Sequence, residues 1–309
     1  MANLPSFTFA CPRCLSPLDQ PSPDEMCCPT DGLHFRRVDD VWRMLLPERA
    51  PLFAQFTREY ESVRRAEGRG DNHPDYYRAL PFHDLSGRMP GDWQIRRASF
   101  EALIERVVTP LERQLARPLR VLDVGAGNGW LSNRLAQRGH AAAAVDLSSN
   151  EFDGLGCFHF YDAAFTPVQA EFDHLPFGES SVDLVVFNAS FHYSTNYAAT
   201  LGEAQRVLAS PGKVIVMDSP VYADKASGEQ MVNERQQEFT RKFGFPSNAL
   251  PSENFLTYPR LEELAAGSAE RVQLITPHYN LRWQIRPLKA RLLGRREPAK
   301  FHLIVFSSR

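Results

Sequence analysis

The chain has almost no net charge, no long apolar run and, past residue 28, a single cysteine. Its 35 basic and 37 acidic side chains leave a formal charge of −2, which excludes a protein held to nucleic acid by bulk charge alone. No apolar stretch approaches the ~18 residues of a membrane helix. The opening MANLPSFTFACPRC lacks the charged-then-apolar layout of a signal peptide. The expectation is a soluble, cytoplasmic chain with no membrane partner. Internal repeats and low-complexity tracts are missing as well, which excludes solenoids and linker-like disorder. With 43% hydrophobic and 23% charged residues the composition is that of an ordinary globular protein. At roughly 150 residues per domain, it suggests two domains, or one large domain with an appendage.

What is present is unevenly spread. Four of the five cysteines (Cys11, Cys14, Cys27, Cys28) fall in the first 28 residues, and eight of the 23 prolines in the first 51. In a reducing compartment a cysteine cluster reads as metal-binding before it reads as a disulfide framework. Cys11-Pro12-Arg13-Cys14 is a metal knuckle, because two thiolates two residues apart can clasp one tetrahedral zinc. Cys28-Pro29-Thr30-Asp31 repeats that spacing with an acid in the last place. Asp31, His34 and Cys27 are open choices for the fourth ligand of a structural zinc, and Asp31-Gly32 as a plain turn is the alternative.

Three segments follow from the pattern: a zinc-ribbon-like module at 1–46, a helical cap at 47–116 and an α/β domain at 117–309. Helical periodicity marks 50–65 and 99–115. Beyond 117, strand-like runs at 120–124, 141–145, 182–187 and 213–217 alternate with helices at 130–137, 197–208 and 228–243. This order indicates βαβ units around a mostly parallel, Rossmann-like sheet. The tail offers an antiparallel pair at 271–276 and 300–307.

The most informative stretch is VLDVGAGNGW at 121–130, a strand running into three glycines and then a helix. Glycines allow a sharp turn and close approach of a ligand to the main chain, and a helix N-terminus offers free N–H donors. Gly125, Gly127 and Gly129 are spaced Gly-x-Gly-x-Gly, whereas a dinucleotide fingerprint places its third glycine where Trp130 stands. The second strand closes at Asp146, 17 residues after Gly129, where a carboxylate can accept hydrogen bonds from both hydroxyls of a ribose. EFDHLPF at 171–177 precedes the third strand.

With these motifs the chain resembles class I S-adenosylmethionine-dependent methyltransferases of the UbiE-like type, strongly over 117–220 and weakly beyond. The resemblance implies a class I fold and S-adenosylmethionine as cofactor. It places Gly125, Ala126, Gly127 and Gly129 along the methionine and ribose portion and Asp123 near the amino group. Asp146 and Leu147 fall at the ribose, Glu171 and Phe172 at the adenine, and Asn188 beside the sulfonium. Glu171-Phe172 stands where the family usually has Asp-Ala, and either acid accepts the same hydrogen bond. The front of the chain is similar to the Trm112-like ribbon fused before some bacterial methyltransferases, and to the Cys-rich N-terminus of certain rRNA guanine methyltransferases.

The stretch Asn188-Ala189-Ser190-Phe191-His192-Tyr193 follows a buried strand at the sheet edge where ligands bind, so His192 is a candidate general base and Tyr193 a candidate orienting group. It lacks both prolines of the amino-methyltransferase motif, and no cysteine stands there for pyrimidine C5 chemistry. Asp218–Tyr222 and the 228–243 helix are candidate walls of an acceptor pocket. Seven basic residues (Arg282, Arg286, Lys289, Arg291, Arg295, Arg296, Lys300) crowd the tail against one acid, Glu297. A small-molecule methyl acceptor is favoured. The alternatives are RNA held by the ribbon and basic tail, and a catalytically silent cofactor-binding protein.

Overall fold

The computed structural model describes residues 7–268 and 270–308, without the side chains of Leu281, Arg282 and Ser308. The expectations at residues 1–6 of the module and at Arg282 therefore lie outside the described residues. Four short strands come first: β1 (Asp19–Ser22), β2 (Glu25–Cys27), β3 (His34–Val38) and β4 (Val41–Arg43), an antiparallel meander. Four helices follow: α1 (Ala50–Ala66), α2 (Pro74–Ala79), α3 (Pro90–Leu103) and α4 (Thr109–Leu115). Each carries proline in its first turn, where the missing N–H costs nothing. A π-turn at Ile104–Val108 joins α3 to α4.

The α/β part begins with β5 (Arg120–Val124), α5 (Trp130–Gln137), β6 (Ala141–Asp146), β7 (Thr166–Gln169) and β8 (Val182–Asn188). It continues with α6 (Tyr197–Val207), β9 (Leu208–Met217), β10 (Val221–Tyr222), α7 (Lys225–Phe243) and β11 (Leu256–Thr257). Last come α8 (Tyr258–Gly267), β12 (Glu270–Ile275), α9 (Leu281–Gln284), α10 (Arg286–Leu292) and β13 (Leu303–Ser308). Every residue of β8 is buried, as expected of a central parallel strand covered on both faces. Asn196 caps α6 by accepting from the Ala198 and Ala199 N–H groups, and Asp224 caps α7 through Ser227.

The sheet order is β1-β2-β3-β4-β7-β6-β5-β8-β9-β13-β12. From β7 through β9 the strands are parallel, and β13 returns antiparallel beside β9. The order reverses between β5 and β8, which opens a crevice at their carboxyl ends. The front of the chain joins this sheet rather than standing apart from it. β4 pairs in parallel with β7, and Phe9 stacks on Phe177 with ring centroids 5.2 Å apart. The 197–208 helix ends one residue early, at Val207, and β9 starts at Leu208. It crosses the Pro211-Gly212 turn with an irregular register against β8. No helix among the described residues is long and apolar enough to cross a membrane.

Candidate active site

β5 delivers the chain into a loop in which Gly125, Gly127 and Gly129 all hold positive φ, at 75°, 55° and 79°. Space as well as conformation demands two of them. A Cβ on Gly125 would lie 2.2 Å from that of Ser190, and one on Gly129 2.8 Å from the Phe165 ring. Ser190 is tied in turn to β5, its Oγ donating to the Val124 carbonyl at 2.5 Å. Asp146, at the end of β6, faces this loop. Its two oxygens accept from the Gly127 N–H and the Ser148 N–H, each at 2.8 Å. Burial pushes the Asp146 carboxyl up, and those two backbone donors work against the rise.

A cleft lies over the loop. Of the residues the sequence singled out, Gly125, Asp146, Leu147, Glu171, Phe172 and Tyr193 line it. Its roof is α1, whose Phe53, Phe56 and Tyr60 fall at i, i+3 and i+7 on one helical face. Phe56 and Tyr60 meet Tyr193 with ring centroids 5.7 and 6.0 Å apart. Three polar clasps hold this helix down. Arg49 grips Glu171 with two parallel bonds of 2.7 and 2.6 Å. Glu61 accepts from Ser148 Oγ and Asn150 Nδ2 at 2.5 and 2.9 Å, and Arg64 pairs with buried Asp153. Neither Arg49 nor the three aromatics was picked out from the sequence, although the i, i+3, i+7 spacing was there to be read.

Other expected site residues stand apart from the cleft. Ala126, Gly127 and Gly129 shape the loop without lining it. Asp123 is buried on the α5 side, where its Oδ2 accepts from Ser132 N–H and Oγ at 3.2 and 2.9 Å. Burial pushes its carboxyl up to about 7. Asn188 is buried at the end of β8, and its Oδ1 has no hydrogen-bond partner among the described residues.

The short turn Phe191–Tyr193 separates the two residues expected to be catalytic. Tyr193 faces the first cleft, while His192 lines a second one together with Asp218, Tyr222, Arg235, Arg286 and Arg296. Burial, and then the nearby Arg235, push the His192 imidazole down to about 3, so it stays neutral and is a weak proton acceptor. Its Nδ1 lies 3.1 Å from Ser219 Oγ. Asp218 sits at the end of β9, where Ser99 Oγ donates to its Oδ1 at 2.5 Å.

Outside both clefts, Cys11, Cys14, Cys28 and Asp31 bring one ligand atom each to within 4.8 Å of one another. The Cys14 and Cys28 sulfurs are 3.5 Å apart, and Cys11 Sγ is 3.3 Å from Asp31 Oδ2. Tetrahedral zinc with bonds of about 2.3 Å would set such edges near 3.8 Å, so the donor set fits that ion. Asp31 is the fourth member of the group. Cys27 lies outside the group, and His34 turns to Glu25 at 3.1 Å.

Residues 122–216 match the family model described as a methyltransferase domain. That span is similar to a methyltransferase domain over about a third of the chain. Over 131 residues it is 35% identical to a malonyl-[acyl-carrier protein] O-methyltransferase of Geobacter sulfurreducens, covering 40% of this chain and 48% of that one. Over 125 residues it is 36% identical to a sarcosine/dimethylglycine N-methyltransferase of Halorhodospira halochloris, covering 39% and 44%. The match thus spans less than half the length of each of these relatives. Among solved structures, the plantazolicin methyltransferase BpumL in complex with a triazolic desmethylPZN analog and SAH is 14% identical. It covers 76% of this chain and 97% of its own, with a TM-score of 0.48. The matched span contains the glycine loop, Asp146, Glu171 and the whole of the His192 turn. Arg49, the α1 aromatics, Asp218 and Arg235 fall outside it.

Proposed function

We propose that the protein transfers a methyl group from S-adenosylmethionine to a small-molecule acceptor. The observation that carries this reading is the first cleft, where Gly125, Asp146, Glu171 and Phe172 converge although they are spread over 47 positions. Its chemistry suits an adenosyl group. Asp146 offers acceptor lone pairs to a vicinal diol, Glu171 and the Phe172 N–H address the polar edge of a purine, and Leu147 and Phe172 supply an apolar wall. When bound, the cofactor supplies a methyl group already activated on a sulfonium, so the protein has to align the acceptor and exclude water. The α1 roof does the excluding. Tyr193, in the first cleft and next in sequence to His192 of the second, orients the acceptor. His192, held neutral, positions it rather than taking its proton, and Asp218 is the better-placed base.

Three tests follow. S-adenosylmethionine should raise the melting temperature of wild type but not of Asp146→Ala, and no shift in wild type sinks the cofactor reading. Labelled methyl transfer into cell extract, with and without ribonuclease, separates metabolite from RNA. Label that disappears with ribonuclease favours RNA, and good cofactor binding with no labelled fraction favours a silent binder. We also place a structural zinc at Cys11, Cys14, Cys28 and Asp31. Elemental analysis should find one zinc per chain in wild type and in Cys27→Ser, and none in Cys14→Ser.

A further inference from the structure

The second cleft is assembled from separate stretches of chain, four of which carry its charged and aromatic side chains. His192 comes from the turn after β8, Asp218 and Tyr222 from the end of β9 and from β10, and Arg235 from α7. Arg286 and Arg296 come from the basic tail. Its three arginines are not equivalent. Arg296 is already satisfied: its Nε donates to Glu234 at 2.7 Å and its Nη1 to the Tyr222 hydroxyl at 3.3 Å. Arg235 and Arg286 pair with no carboxylate among the described residues. Arg235 Nε and Arg286 Nη1 are buried atoms without a hydrogen-bond partner. Stacking fixes Arg286 in place, its guanidinium 3.8 Å from the centroid of the Trp283 ring. A buried guanidinium N–H left unmade is costly, and such donors mark a place prepared for an acceptor.

Charge says which acceptor. With Arg296 balanced by Glu234 and the imidazole neutral, two free guanidinium groups face one acid, Asp218, and the cleft keeps a surplus of one positive charge. One anionic charge completes it. Tyr222, Met231 and Phe301 add apolar and aromatic wall, and Asn254 a polar amide.

We propose that this cleft is the acceptor subsite and binds one carboxylate of the methyl acceptor between Arg235 and Arg286. Calling the ligand an acceptor rests on the methyltransferase reading, whereas the carboxylate site stands on the cleft alone.

The full chain, with and without saturating S-adenosylhomocysteine, is titrated by ligand-observed NMR and calorimetry with three probes: benzoate, its neutral isostere benzamide, and inorganic phosphate. Benzoate should bind wild type at least tenfold more tightly than either of the others. Arg235→Gln and Arg286→Gln should each weaken benzoate about tenfold or more while S-adenosylhomocysteine affinity stays within twofold. Arg286→Lys should recover only part of the loss, since it restores the charge without the fork. The proposal is overturned if wild type fails to prefer benzoate over benzamide, if phosphate binds more tightly, or if both glutamine variants bind benzoate like wild type. Should either variant fail to fold, the three-probe comparison on wild type still decides. Loss of S-adenosylhomocysteine binding in wild type with benzoate preference intact would remove the cofactor reading and leave the carboxylate site.

Discussion

The cleft under α1 presents Asp146, Glu171 and Asp173 against Phe53, Phe56 and Phe172, whereas the cleft beside α7 presents Arg235, Arg286 and Arg296 around His192. They share the turn at Phe191–Tyr193 and little else. An acidic, aromatic-walled pocket suits a ligand carrying a sulfonium cation and a purine, and a basic one suits an anion. His192 and Tyr193, neighbours on the turn after β8, line the second and the first cleft, so under the proposed function one turn serves two reactants of opposite charge. The contrast also separates two ways of building a site. The first is organised by backbone, through a strand, a tight loop and the ends of two neighbouring strands. The second is organised by side chains that arrive from four other elements.

The most severe way to break the comparison is Asp146→Ala. It removes a carboxylate able to make two charge-assisted hydrogen bonds, each about 1.5–3 kcal/mol, so S-adenosylhomocysteine affinity should fall about a hundredfold or more in calorimetry. Benzoate binding should not change, and a parallel loss would show that the clefts are one site. Next comes the backbone itself. Gly125→Ala combines a positive φ with a Cβ 2.2 Å from Ser190, and about 3 kcal/mol of stability should be lost in urea unfolding. Gly139→Ala, with a positive φ and nothing within 4 Å, should lose only about 1–2 kcal/mol.

A smaller effect distinguishes the α5 face from the cleft proper. Burial raises the folded-state value of Asp123 from 3.8 to about 7, so the folded protein holds this proton more tightly than the unfolded chain. The stability this contributes is complete below about pH 4 and is lost as pH rises toward 7. Asp123→Asn should therefore flatten the pH dependence of unfolding between pH 4 and 7, by up to about 1.4 kcal/mol per pH unit. An unchanged slope in urea titrations at pH 5 and pH 7 would remove Asp123 as its source. The smallest effect is at His192. Because the imidazole stays neutral above about pH 3, His192→Gln should leave the pH profile of benzoate binding unchanged between pH 5.5 and 8. An inflection near 6.5 that disappears in the variant would restore His192 as a titrating group.

Much of the fold was legible where one physical signal dominated. The expected strand at 120–124 and helix at 130–137 coincide with β5 and α5, because an apolar run and a glycine loop leave few alternatives. β12 and β13 do pair antiparallel, near the positions expected. β7 went unread because Thr166–Gln169 is four residues long and contains Pro167, which argues against a strand until its neighbours are known. The front of the chain read as a module of its own. Nothing local in Val41–Arg43 announces that it will pair with Thr166–Gln169 more than a hundred residues later.

The candidate site divides along the same line. Gly125, Asp146, Leu147, Glu171 and Phe172 were legible because their motifs are short and sequence order places them along one sheet edge. Tyr193 and His192 were legible as a pair, but which one meets which cleft depends on a single turn. Arg49 reaches Glu171 across 122 positions, and nothing in either neighbourhood predicts it.

By itself, then, the sequence determined the sheet class, the glycine loop with its acidic partner, and the pairing of Cys11 with Cys14 beside Cys28. Each rests on backbone conformation or ligand spacing within a few residues. Tertiary structure alone decided that Asp31 joins Cys11, Cys14 and Cys28, that α1 roofs the first cleft, and that one arginine of α7 and one of the basic tail bring unpartnered donors to the second. The physical reason is range. Local steric rules act between neighbours in the chain, whereas charge complementarity and burial act between neighbours in space.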